Sequence, residues 1–336
     1  MAKKVAQPVS DKRDVVSLVT GANGKMGREL VKMLIKKGDT VRAVVKRKEM
    51  VLQLPPGVIP YIGDVTDSRV MRDALRGVDN VYHLAAIVSE YKFGTQEIMR
   101  VNVEGTKNIM EACAANDVRH MIYVSSLDVY GHERHDVLTE DSKLEPKDRY
   151  GLSKVLAEQE VQKFTNIVPF TIFRPSQIYG PGFEHYFFKV FRAIKEGKMV
   201  IIGSGKNKLN LVHSQDVLDA FVLATSAPTS RYKIYNLTDG GSYTQEQLLN
   251  MAADMMKVPR PTRKISKLVV RIVAKQKNID SDELRFLTSS RVVDISRIRR
   301  ELGFEPKVSL QEGASEFVKE FLTQHDKAHM GIETLF

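Results

Sequence analysis

The chain has 336 residues, 43% of them hydrophobic and 27% charged, a balance that excludes a wholly disordered or fibrous protein. One cysteine, Cys113, excludes an internal disulfide and a multi-cysteine metal centre, so no metal is expected. The net charge of +10 is uneven: residues 260–300 carry 12 Lys and Arg against 4 Asp and Glu, yet no zinc-finger spacing, basic heptad region or aromatic strand signature accompanies them, and nucleic acid is not an expected partner. No apolar run approaches the ~18 residues that span a bilayer. The N-terminal MAKKVAQPVSDKRD lacks the apolar core of a secretory signal, so a cytoplasmic, reducing location is expected.

The elements alternate along the chain. Residues 15–20 read as a buried parallel strand running into Gly21. A helix over 27–37 comes next, with Leu30, Met33 and Leu34 on one face and Gly38 as its stop. Strands are expected over 41–45, 58–62, 81–86, 121–125 and 170–173, and helices over 67–76, 96–116 and 150–165. This is the rhythm of βαβ units, hence an α/β, doubly wound parallel sheet with right-handed crossovers. Past Pro175 the rhythm breaks. Residues 15–175 are therefore read as a dinucleotide-binding domain, and 176–325 mainly as a smaller C-terminal substrate lobe over the carboxyl edge of the sheet. Residues 1–14 and 326–336 are read as tails. A strand near 232–237 is expected to return to the main sheet, and Thr244-x-x-Gln247 reads as a capping box opening a helix to Met256.

Three motifs carry chemistry. TGANGKMG places Gly21, Gly24 and Gly27, with Asn23, Lys25 and Met26 between them, after the first strand and at the start of a helix. Glycines there permit a tight turn and close backbone approach to a pyrophosphate, whose charge the helix N-terminus favours. The second strand ends in Lys46-Arg47-Lys48 rather than in an acid. Cations attract a 2′-phosphate, so NADP is expected over NAD, with NAD as the lesser option. Tyr150 and Lys154 are spaced four apart on a helix and share a face. A neighbouring ammonium lowers the pKa of a phenol that is otherwise a poor acid–base group at neutral pH. Ser125-Ser126 ends the strand before them, and a serine there can hold a substrate carbonyl.

With these motifs come GDVTD (63–67), VYHLAA (81–86), NVEGT (102–106), YVSSLDVYG (123–131), FRPSQIYGPG (173–182) and LVHSQDV (211–217). In that order the chain resembles the extended short-chain dehydrogenase/reductase family, of Rossmann-type fold, over about residues 15–325. The resemblance implies that Ser126, Tyr150 and Lys154 are catalytic. It places Asp64 and Val65 near the adenine, Leu84, Ala85 and Ala86 along the cofactor, and Pro175 and Ile178 beside the nicotinamide. It also implies a homodimer through the helices at 96–116 and 150–165. His83, Asn102 and His213 are read as structural, and Cys113 as packed on its helix.

Leu127-Asp128 stands after Ser126 where dehydratases of the family resemble one another in an Asp-Glu pair, which argues against dehydration. The missing acid after the second strand argues against an epimerase. TVRAVVKR (40–47) looks more like the dihydroflavonol-reductase branch, which borders on 3β-hydroxysteroid dehydrogenases. The expected function is an NADP-dependent carbonyl reductase or alcohol dehydrogenase acting on a small apolar substrate near Ser126, Gln177, Phe183 and Tyr186. The alternatives are a nucleotide-sugar epimerase and a non-catalytic dinucleotide-binding regulatory or assembly protein.

Residues 264–277 are expected to form an amphipathic helix. Ile265, Leu268, Val269, Ile272 and Val273 make an apolar stripe beside Lys264, Lys267, Arg271 and Lys275. Either the stripe packs on the lobe, or it rests on an anionic membrane surface as a peripheral contact.

Overall fold

The computed structural model describes residues 14–88, 92–276 and 286–333. Apart from Asp14, the expected N-terminal tail lies outside them, as does Lys277 of the expected basic helix. Seven parallel strands form the main sheet in the spatial order Lys233–Leu237, Phe170–Pro175, His120–Val124, Asn80–His83, Val16–Thr20, Thr40–Val45 and Ile59–Ile62. The inner strands read as near-continuous apolar runs because helices cover both faces. On one face Leu30 and Leu34 of helix Lys25–Lys37 pack with Val217 and Phe221 of helix Ser214–Ser226. On the other, Met71, Ile109, Cys113 and Val161 pack against Leu18, Val81 and Phe170. Cys113 is a buried free thiol on helix Gly105–Ala115.

The strand expected over 81–86 ends at His83. Leu84 to Ala86 are apolar enough to continue it, but there the chain leaves the sheet and presses on Gly21, where a Cβ would stand 2.8 Å from the Ala85 nitrogen. The helix expected over 96–116 is three pieces: Thr95–Met99, a π-helical turn Arg100–Glu104, and Gly105–Ala115. Asn102 sits in the π turn, a form that often marks a functional site. It accepts from the Ile87 amide at 2.7 Å, and its amide nitrogen lies 2.9 Å from both the Ile87 carbonyl and Ser153 Oγ. One buried side chain thus ties the loop after the fourth strand to the helix that carries Tyr150.

After Pro175 the chain builds a lobe around Tyr179, Phe191, Leu249, Phe317 and Phe321. Its helix Gln245–Met256 opens with the Thr244/Gln247 capping box. Strand Lys233–Leu237 returns to pair with Phe170–Pro175. Two segments differ from expectation. Lys264–Ile265 pairs as a short strand with Ile201–Ile202, so the helix begins only at Lys267. The cause is a pairing across some sixty residues, invisible to local periodicity. Of the C-terminal tail expected over 326–336, residues 326–333 continue helix Leu310–Glu333, which is anchored upstream by Leu310, Phe317 and Phe321 in the lobe core, and 334–336 lie outside the described residues.

Candidate active site

The first βα turn is shaped by its glycines. Gly21 has φ +66°, a left-handed conformation, and the Gly24 amide donates to its carbonyl at 2.9 Å. At Gly27 a Cβ would lie 2.2 Å from the Gly21 oxygen and 2.8 Å from Ala22 Cα, both backbone atoms that cannot yield. Helix Lys25–Lys37 has Gly24 as N-cap, no side-chain cap and no acid in its first turn. Its leading amides therefore face the turn with neither a capping side chain nor a competing carboxylate, which suits a pyrophosphate.

This turn forms one wall of a cleft of about 640 Å³. Gly21, Gly24, Lys25, Met26, Gly27, Leu84, Ala86, Ser126, Tyr150, Lys154, Pro175, Gln177, Ile178, Phe183 and Tyr186 all line it. Six other expected site residues stand behind or beside the wall. Asn23 donates to Gln53 at 3.4 Å. The Ala85 amide donates to Thr20 Oγ1 at 3.2 Å, and Val65 packs under Gly105. Lys46 and Arg47 are exposed just beyond the second strand, and Lys46 Nζ lies 3.0 Å from Asp64. Burial raises the Asp64 pKa, but the Thr66 amide and Lys46 outweigh it and hold the carboxyl below its usual range.

Tyr150 and Lys154 lie on helix Arg149–Gln162, whose N-cap Asp148 accepts from the Gly151 amide at 2.6 Å. Gly151 is required by contact, since a Cβ there would meet the Asp128 carbonyl oxygen at 2.7 Å. The helix can therefore press directly on the turn Leu127–Tyr130 next to Ser126. Ser125 and Ser126 take different tasks. Ser125 Oγ is buried and donates to Glu158 at 2.5 Å. Ser126 Oγ caps its turn, accepting from the Asp128 amide at 3.1 Å, and faces the cleft.

Lys154 is 4% exposed, and its Nζ donates to the Val124 carbonyl at 2.7 Å. That ammonium stands 5.8 Å from the centre of the Tyr150 ring and 5.0 Å from that of Tyr123. Burial pulls its pKa down to about 7, and the charge of Glu158 opposes the fall. Glu158 is one turn further along the same helix, fully buried. It accepts from Arg174 Nε at 2.9 Å and Nη2 at 2.6 Å, and Arg174 Nη1 reaches the Tyr130 hydroxyl at 2.6 Å. The three side chains at 150, 154 and 158 form one stripe of donor, cation and carboxylate. A phenol beside a held ammonium can exchange a proton with a substrate oxygen, and Ser126 can orient that oxygen.

His83 is buried between Thr20 Oγ1 at 2.7 Å and Thr106 Oγ1 at 3.1 Å, and His213 caps helix Ser214–Ser226. Sequence reasoning assigns no role to Glu158 or Arg174, although the spacing Tyr150, Lys154, Glu158 is a usable signal. It also misses Asn210, Phe286 and Arg291, which come to the cleft from a loop, a helical turn and a strand with no motif. Arg291 Nη1 donates to the Leu127 and Gly131 carbonyls and to Asp128 at 2.9, 3.1 and 3.0 Å. Part of the basic excess at 260–300 therefore braces the serine turn.

Comparison with known proteins agrees with this geometry. The profile of the NAD dependent epimerase/dehydratase family matches residues 17–238. Sterol demethylase protein B of Methylococcus capsulatus is 31% identical over 87% of this chain and 94% of its own length. UDP-glucose 4-epimerase of Vibrio cholerae is 27% identical over 92% of this chain and 96% of its own. The structure of MoeE5 in complex with UDP-glucuronic acid and NAD superposes with a TM-score of 0.76 at 26% identity, covering 92% of this chain and 99% of that one.

Proposed function

The chain belongs to the NAD dependent epimerase/dehydratase family, the extended short-chain dehydrogenase/reductases, and we propose that within it this enzyme is an NADP-preferring oxidoreductase of an apolar secondary alcohol or ketone. The observation that carries the reading is the cleft itself. Ser126, Tyr150 and Lys154 open onto a space where, beside the cofactor path, Val88, Phe183, Phe221 and Phe286 add apolar wall to the polar Lys92, Asn210 and Arg291. Bound NAD(P) would supply the hydride acceptor or donor. Tyr150 Oη gives a proton to the carbonyl oxygen in reduction and takes it back in oxidation. The Lys154 ammonium stabilises the phenolate, and Ser126 Oγ donates to the substrate oxygen.

Arg291 Nη1 is held by three oxygens of the serine turn, while Lys25 and Lys92 also line the cleft, so the choice against a nucleotide sugar rests on the apolar walls rather than on a lack of cations. The sterol demethylase relative is in keeping with an apolar substrate. NADP preference rests on Lys46 and Arg47, exposed where an NAD enzyme carries an acid. The reading includes a homodimer through helices Gly105–Ala115 and Arg149–Gln162, which would cover Leu152, now 42% exposed. Incubating the purified protein with NADPH and a panel of apolar ketones, sterols and UDP-sugars tests the proposal. Cofactor oxidation with an apolar ketone is expected, and interconversion of UDP-sugars without net cofactor turnover refutes it.

A further inference from the structure

We propose that helix Lys267–Gln276 is a peripheral attachment site for an anionic phospholipid surface. The proposal is independent of the substrate assigned above. Leu268, Val269 and Ile272 are 67%, 42% and 51% exposed, and their spacing puts them on one face of the helix. Among the described side chains of this helix, Lys267 and Val270 are half-buried while Leu268, Val269 and Ile272 are exposed, so the helix turns a different side to the protein. Of the two expectations for the stripe, packing on the lobe or resting on a membrane, the first is not met by Leu268, Val269 and Ile272, which stay exposed among the described residues. Single exposed apolar residues are ordinary, but three adjacent ones on a short surface helix form a patch that calls for a partner.

Charge indicates which partner. Residues 257–276 contain seven Lys and Arg and no Asp or Glu. Acids from elsewhere meet some of them: Asp254 meets Arg260, Glu246 meets Lys264 and Glu133 meets Lys267. Counted along the sequence, four of the seven cations remain beyond these three pairs, so the segment that carries the apolar stripe keeps a positive excess. A second copy of this chain would bring an equally basic segment against it, at a cost in repulsion. Nucleic acid would use the cations but leave the apolar face in water. A bilayer rich in anionic headgroups satisfies both halves, with lipid phosphate meeting the ammonium groups and the acyl boundary taking the three side chains.

The test is co-sedimentation of the full-length protein with vesicles of phosphatidylcholine alone or mixed with phosphatidylglycerol, at ~0.05 M and ~0.5 M salt. Binding to the mixed vesicles at low salt, much weaker at high salt and absent on phosphatidylcholine, is expected. Leu268→Ser combined with Ile272→Ser should lower partitioning about tenfold. Arg263→Glu should lower it separately, with unchanged circular dichroism and melting in both variants. Failure of the parent protein to bind anionic vesicles overturns the proposal. So does binding that the double variant leaves intact, or a double variant whose only change is in oligomeric state.

Discussion

Replacing Glu158 by Gln keeps the side chain's shape and removes its charge, at a position where the chain has no solvent to help. Glu158 is 0% and Arg174 2% exposed. The variant keeps one amide oxygen that can accept from Arg174 but replaces the other by an N–H group facing the guanidinium, and it removes the carboxylate charge that met Arg174 at two atoms. Removing one partner of such a buried pair costs about 3–5 kcal/mol, a large part of the ~5–15 kcal/mol that holds a native protein together. At about 2.1 cal/mol/K of unfolding entropy per residue, the 336-residue chain carries roughly 0.7 kcal/mol/K, so Tm should fall by roughly 4–7 °C in calorimetry. Glu158→Leu with Arg174→Met removes both charges and should recover most of that loss. The charge of Glu158 also opposes the fall of the Lys154 pKa, so the single variant should move the basic limb of any pH–rate profile lower. A melting point within about 1 °C of the parent would refute the claim that this pair anchors the helix of Tyr150.

Tyr150→Phe should reduce turnover by at least about 10²-fold while cofactor titration stays near the parent value, because the ring's packing is kept and only the proton is lost. Lys46→Ala with Arg47→Ala should raise the Kd for NADPH about tenfold more than that for NADH, read by isothermal titration calorimetry because the chain has no tryptophan; equal changes would remove these cations from 2′-phosphate recognition. Burial pulls His83 down to about 3 and His120, with help from Arg231, to about 4. Unfolded histidines take a proton near pH ~6.5 while these two do not, so their contribution is intact above ~6.5 and erodes at up to ~2.7 kcal/mol per pH unit from there toward ~4. Urea midpoints against pH should show this slope, and His120→Gln should lessen it.

Much of the site was legible because its chemistry sits in contiguous motifs. The glycine turn, Ser126 and the Tyr150–Lys154 pair each need particular residue types at a fixed local spacing, and the cleft brings them together. The features that escaped depend on distant partners. Lys264–Ile265 becomes a strand because Ile201–Ile202 lies beside it, and the apolar Leu84 leaves the sheet because the next residues must meet Gly21. Ser125 and Ser126 are chemically identical in the sequence. The family resemblance alone singles out Ser126, and the physical reason, the buried carboxylate of Glu158 that engages Ser125, comes from a residue 33 positions away. Phe286 and Arg291 reach the cleft from more than a hundred residues beyond Tyr150, in a stretch legible only as basic.

The last strand of the sheet, Lys233–Leu237, lies against Phe170–Pro175, yet residues 176–232 leave the sheet between the two. Every residue of Phe170–Pro175 is buried, and Lys233–Leu237 occupies its outer edge. A nascent chain that has emerged only to Pro175 therefore carries a complete cofactor turn beside an apolar ribbon of unpaired amides and carbonyls, a template for joining another chain. The excursion must be made, and its return strand docked, before that hazard closes. Two neighbouring strands so far apart in sequence raise the contact order and slow that closure. The consequence reaches any attempt to dissect the protein: a fragment cut after Pro175 is expected to aggregate, and the cofactor-binding half cannot be obtained by discarding the lobe and its return strand.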